Sequence, residues 1–215
     1  MHPVWDLPTR LFHWALPVLM GLAWWSAETE RYDIHEWTGL TLIVLLVSRI
    51  VWGFVGSRHS RFSDFVTGPG RVLAYLRGEG SPTPGHNPLG ALSVLALISL
   101  LLLQAVSGLF NSDDIFFNGP LYYAAESDFR DTMGTVHDVA FDILLGLIGL
   151  HVAVVLYHQF WRKDGLVRAM VAGSAPGKQG EASPVAAWRA LAIALVVAGL
   201  LWWGLEQAPQ PQPLW

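Results

Sequence analysis

The sequence predicts an all-α integral membrane protein: a four-helix transmembrane bundle with a fifth transmembrane helix appended at its C-terminal side. Three observations predict it. Of 215 residues, 53% are hydrophobic and only 14% charged, against about 25% charged in soluble domains. Five apolar segments are each long enough to cross a bilayer with modest tilt. Tryptophans cluster at the ends of those segments, where membrane–water interfaces collect them.

The segments run over residues 10–27, 34–55, 88–110, 133–160 and 186–205. The first follows Arg10 and ends at Glu28 and Glu30. Ser26-Ala27 resembles a signal-peptide cleavage site, but the segment carries His13 inside it and opens a series of similar spans, so it reads as a retained helix. Trp24, Trp25, Trp37, Trp202 and Trp203 fall at one set of ends, and Trp52, Trp161 and Trp188 at the other. The connection 78–85 is turn-rich, with Pro82 and Pro84. The tail 206–215 is Pro-rich and predicted to be extended. The expected organisation is a bundle domain over 1–173, a linker over 174–185, the added helix over 186–205 and the tail.

Loop charges orient the chain. Arg10, Arg58, Arg61, Arg71, Arg77, Arg162, Lys163, Arg168, Lys178 and Arg189 fall on one side, against Arg31 and Arg130 on the other. The excess of basic residues marks the cytoplasmic side. The N-terminus is therefore expected on the cytoplasmic side and the C-terminus outside. The outer loops carry Glu28, Glu30, Asp33, Glu36, Asp113, Asp114, Glu126, Asp128 and Asp131, an acidic face.

There are no cysteines. Disulfides, covalent haem attachment through C-x-x-C-H, cysteine-ligated iron–sulfur clusters and thiolate zinc sites are excluded. A bound redox metal must then use His or Met. His137 and His151 lie fourteen residues apart in one apolar run. They project from the same helix face, within about 40°, and are separated by a rise of about 21 Å. An imidazole in hydrocarbon is costly unless it is paired or bound to metal.

The orientation gives depth to the other histidines. His13 falls near the inner face with His151, and His35 near the outer face with His137. Each depth-matched pair comes from two different helices, the geometry that bis-His ligation of a flat haem needs. The expectation is two haem b groups stacked across the bilayer. Arg49, near the inner end of the second span, is a candidate partner for a haem propionate, with snorkelling to headgroups as the alternative. Gly39, one turn deeper than His35, offers a smooth surface to a porphyrin face. His158 shares the face of His151, where it could line a quinone pocket or simply sit at the interface. His86 belongs to the same inner rim. Asp138 and Asp142 flank His137, either orienting a ligand, carrying protons or facing headgroups.

Several stretches resemble the bacterial cytochrome b561 family, which includes the b-type cytochrome subunit of nickel–iron hydrogenases. They are V-W-D-L-P-T-R-L-F-H-W from Val4, H-E-W-T-G-L from His35, S-R-I-V-W-G-F-V-G-S from Ser48 with R-F-S-D-F-V after it, G-H-N-P-L-G from Gly85, H-D-V-A-F-D-I-L-L-G-L-I-G-L-H-V from His137 and L-V-R-A-M-V-A-G from Leu166. The resemblance covers residues 4–173 and implies a four-helix bundle with His13, His35, His137 and His151 as axial ligands of two b haems. It also implies electron exchange with membrane quinone and, in many members, a periplasmic redox partner. The helix at 186–205 and the tail lie beyond it.

The expected function is therefore transmembrane electron transfer between the quinone pool and a periplasmic c-type cytochrome or hydrogenase-like protein. The further candidate site residues are Arg10, Arg49 and Gly39 at the haems, and His86 and His158 at the quinone. No nucleic-acid partner is expected. Two other functional classes fit less well. A stand-alone superoxide:quinone oxidoreductase would draw its anionic substrate to a basic funnel, which the acidic face does not offer. A purely structural anchor for a redox complex leaves the paired histidines unexplained.

Overall fold

The computed structural model describes residues 2–79, 85–113, 115, 117–174 and 180–209. Pro82, Pro84, Asp114, Lys178 and most of the Pro-rich tail lie outside the described residues. The described residues are helical, with no strands beyond an isolated bridge between Ser112 and Asn118.

Five long helices carry the architecture: α1 (Leu7–Glu28), α2 (Tyr32–Val55), α5 (Pro88–Gly108), α6 (Ser127–Tyr157) and α8 (Trp188–Glu206). Three short ones lie between them: α3 (Phe62–Phe65), α4 (Pro69–Leu76) and α7 (Leu166–Ala172). By length and composition, α2, α5, α6 with its continuation to Arg162, and α8 are apolar enough to cross a membrane. Helix α1 is as long, at 22 residues, but carries Arg10, His13 and Pro17 and is less apolar.

The helix starts follow local rules. Asp6 caps α1, accepting from the Thr9 amide at 2.9 Å, with Pro8 in the first turn, where its missing N–H costs nothing. Asn87 caps α5 in the same way through the Gly90 amide, with Pro88 opening the helix. Helix α6 ends in a π-helical turn over His158–Arg162, closed by Lys163 in the left-handed region.

Helix α1 packs along α2, α5 along α6, and α2 also against α5 and α8. Helix α6 makes no comparably close backbone approach to α1 or α2. Between the two halves sits an apolar layer of Leu42, Leu46, Ile98, Leu101 and Leu144, with Leu16, Leu19 and Met20 of α1 packed against it. Leu144 is seven residues from both His137 and His151 on α6, so all three share one face. Helix α8 lies outside this core, with Leu201 and Leu205 against Leu40 and Ile43 of α2 and Trp202 stacked on Trp37 at 6.3 Å.

The antiparallel helices give the molecule two ends. At the basic end, Val4 and Trp5 donate their amides to the Gly173 carbonyl at 2.8 and 3.1 Å, and the Trp5 ring packs at a tilt against His86. At the acidic end, Tyr32 stacks on Phe117 and the α5–α6 connection folds back on Leu109. Trp52 departs from its expected belt position. It is buried and donates its indole N–H to Asp6 Oδ2 at 2.9 Å. The other belt tryptophans, Trp24, Trp25, Trp37, Trp161, Trp188, Trp202 and Trp203, are exposed.

Candidate functional site

Two pairs of half-buried histidines face each other across the gap that α6 leaves with α1 and α2. At the acidic end, His35 and His137 have ring centroids 6.2 Å apart with their planes at 73°. That separation leaves room for one metal ion to be held between the two rings.

Both rings are held by their far nitrogen. His35 Nδ1 lies 2.9 Å from the Ala23 carbonyl, and His137 Nδ1 lies 2.9 Å from the Gln104 carbonyl and 3.2 Å from the Ser107 hydroxyl. A carbonyl can only accept, so each Nδ1 carries the hydrogen and Nε2 keeps its lone pair for a metal. Gly108, the last residue of α5, brings the helix against the His137 ring, since an added Cβ would stand 2.9 Å from Cε1.

At the basic end, His13 and His151 lie close enough to interact electrostatically. His151 Nδ1 is 3.4 Å from the Ser93 hydroxyl. His13 Nδ1 is buried with no hydrogen-bond partner. Ser93, Gln104 and Ser107 are the partners that sequence reasoning missed. The two serines carry a signal, as polar residues in the largely apolar α5, whereas Gln104 acts through its backbone carbonyl.

Among the described residues, no three or more His, Cys, Asp and Glu converge as a bare metal ion would require. Paired imidazoles fit a metal whose other ligands come from a planar macrocycle. The surroundings agree with a flat, anionic group. A Cβ on Gly39 would meet nothing within 4 Å, leaving open space below His35. Arg49 is 4% exposed, so it does not snorkel, and its Nη1 has no partner.

The remaining predicted residues are placed as follows. Arg10 donates through Nη1 to the Val171 carbonyl at 2.7 Å while its Nε is buried and unpaired. His86 lies between Trp5 and Phe65, at 4.5 and 4.8 Å between ring centroids. His158 Nδ1 pairs with Asp164 Oδ2 at 2.6 Å within the π-helical turn. Asp138 and Asp142 are exposed on α6.

Asp6 was not singled out by sequence either. It is 4% exposed and accepts from the Thr9 amide, the Trp52 indole and the Ser60 hydroxyl, the last at 3.1 Å. Burial pushes its carboxyl up, but the surrounding donors Thr9, Ser57 and Trp52 outweigh burial and hold it below the ordinary 3.8.

The model of the prokaryotic cytochrome b561 family matches residues 4–173. A curated relative from Escherichia coli strain K12, described as a probable Ni/Fe-hydrogenase 1 B-type cytochrome subunit, is 26% identical over 221 aligned positions, covering 85% of this chain and 94% of the relative. Its counterpart in Escherichia coli O157:H7 matches to the same extent. No solved structure matches the chain.

Proposed function

The chain belongs to the prokaryotic cytochrome b561 family, and from that membership we propose that it carries electrons across the bacterial inner membrane through two bis-His b haems. Membership and the membrane-capable helices make it a multi-pass membrane b-type cytochrome. The finer reading assigns His35 and His137 to a haem near the periplasmic face, and His13 and His151 to one near the cytoplasmic face. Helix α1 is a span in this reading, which gives five crossings with the N-terminus inside.

One observation carries it: the 6.2 Å separation of the His35 and His137 rings, each tethered at Nδ1 and free at Nε2. Haem supplies the one-electron chemistry, while the protein supplies position, ligands and charge. Iron with both axial positions filled by imidazole has no open site, which favours electron transfer over ligand chemistry. The chain's own contributions are the carbonyl and hydroxyl partners that aim the rings, the orphaned Arg49 Nη1 and Arg10 Nε for propionates, and Gly39 for the porphyrin face.

The electrons run between membrane quinone and a periplasmic redox protein. The relative's description points to a hydrogenase-like partner, and the acidic outer face would equally steer a basic c-type cytochrome. Quinone is assigned to the cytoplasmic end, beside His86 and the His158–Asp164 pair. Reduced-minus-oxidised spectra of membranes test the ligand set. His13→Ala and His151→Ala should remove the same b-haem band, and His35→Ala and His137→Ala the other. Four variants that each spare both bands would refute the assignment.

A further inference from the structure

We propose that Asp6 is a positioning residue for the basic-end haem: its carboxylate locks α1, and so His13, against α2, and balances the buried charge of Arg49. The proposal rests on the reading that His13 and His151 hold a haem.

The geometry is that of a junction. Oδ1 takes the Thr9 amide and caps α1. Oδ2 takes the indole N–H of Trp52 in α2 and the hydroxyl of Ser60 in the following turn. Thr9 and Ser60 close the loop, Oγ1 to Oγ at 2.7 Å. One carboxylate thus joins the start of α1, the end of α2 and the turn beyond it. His13 lies seven residues along α1, on nearly the same face and about 10 Å away along the axis. Rotation or sliding of α1 at Asp6 is therefore carried directly to the His13 ring.

The electrostatics follow from the same place. Arg49 is three residues before Trp52 on α2, buried, and within electrostatic reach of Asp6. A buried guanidinium without a counter-charge is costly. It would also bias a neighbouring iron toward its reduced state. Asp6 is the protein's own carboxylate that helps to offset it, beside the propionate that Arg49 Nη1 would hold. Removing that negative charge makes the site more positive, favours ferrous over ferric iron and raises the midpoint potential. Removing a donor from Asp6 leaves its charge less compensated and lowers the potential.

Redox titration of the purified full-length cytochrome tests this, with His137→Ala used to identify the basic-end haem. Asp6→Asn should raise the midpoint of that haem, leave the acidic-end haem unmoved and keep bis-His spectra at both. Trp52→Phe should shift the same haem downward, and Asp6→Glu should bring it back toward the wild-type value. A role limited to holding the fold would not produce opposite signs. Unmoved potentials in Asp6→Asn and Trp52→Phe, or equal shifts at both haems, would overturn the proposal. If Asp6→Asn does not accumulate, the sign of the Trp52→Phe shift decides alone. A wild-type protein lacking paired b-haem signals would instead overturn the haem reading itself.

Discussion

A methyl group added to Gly108 would stand 2.9 Å from Cε1 and 3.2 Å from Nδ1 of His137. The ring cannot retreat without giving up the Gln104 carbonyl, its 2.9 Å partner. Gly108→Ala should therefore displace His137 and cost the acidic-end haem while the basic-end haem stays. Haem content per polypeptide, with the difference spectrum, reads this directly. Retention of both haems with unchanged spectra would show that the ring's place is not set by this contact.

Leu144 is 2% exposed and packs with Leu42, Leu46, Ile98 and Leu101 between the histidine layers. Leu144→Ala leaves a cavity there and should destabilise the bundle by about 2–5 kcal/mol. Both haems should still load at low temperature, since neither ligand pair is touched. The expected result is a lower temperature for loss of the haem absorbance, with both bands disappearing together.

Asp6 links stability to pH with a definite sign. Its folded value lies below the ordinary 3.8, so its carboxylate contributes stability that is fully present above that value. The contribution is lost as pH falls through the folded value. Wild type should exceed Asp6→Asn at neutral pH by about 1–3 kcal/mol, and the gap should close only below pH 3.8. Parallel acid titrations of haem release check it. A gap that is constant down to strongly acidic pH would argue against an ionised Asp6.

Helix α8 packs chiefly against α2, and none of its described residues is buried. Deleting residues 186–215 should preserve both b-haem bands while exposing Leu40 and Ile43. The shortened protein should be less stable in detergent, and its spectrum should match that of the full chain. Loss of the acidic-end haem on deletion would make α8 part of the site rather than an addition to it.

Much of this organisation was legible in the sequence because it depends on period and depth. The spacing of His137, Leu144 and His151 is a helical repeat, and antiparallel order alone matched His13 with His151 and His35 with His137. Helix ends were less legible. Helix α6 begins at Ser127 rather than near Met133, because its first turns are polar and stand beyond the apolar run. Trp52 was misread because an interfacial tryptophan and a buried donor look alike until the partner, Asp6, is brought beside it. Asp6 itself announced only a helix start, with Pro8 after it. The Gln104 carbonyl was invisible in principle, since a backbone acceptor carries no residue signature.

Val4 hydrogen-bonds to Gly173 at 2.8 Å, and these are the two residues at which the family match begins and ends. The unit is thus a closed ring whose ends meet at one end of the helix bundle. Such a module can be joined head to tail or opened elsewhere with little penalty. It can also accept an extra helix at that seam without changing the route of the chain inside. Helix α8 follows this seam in the chain and leaves the path of the matched unit unchanged.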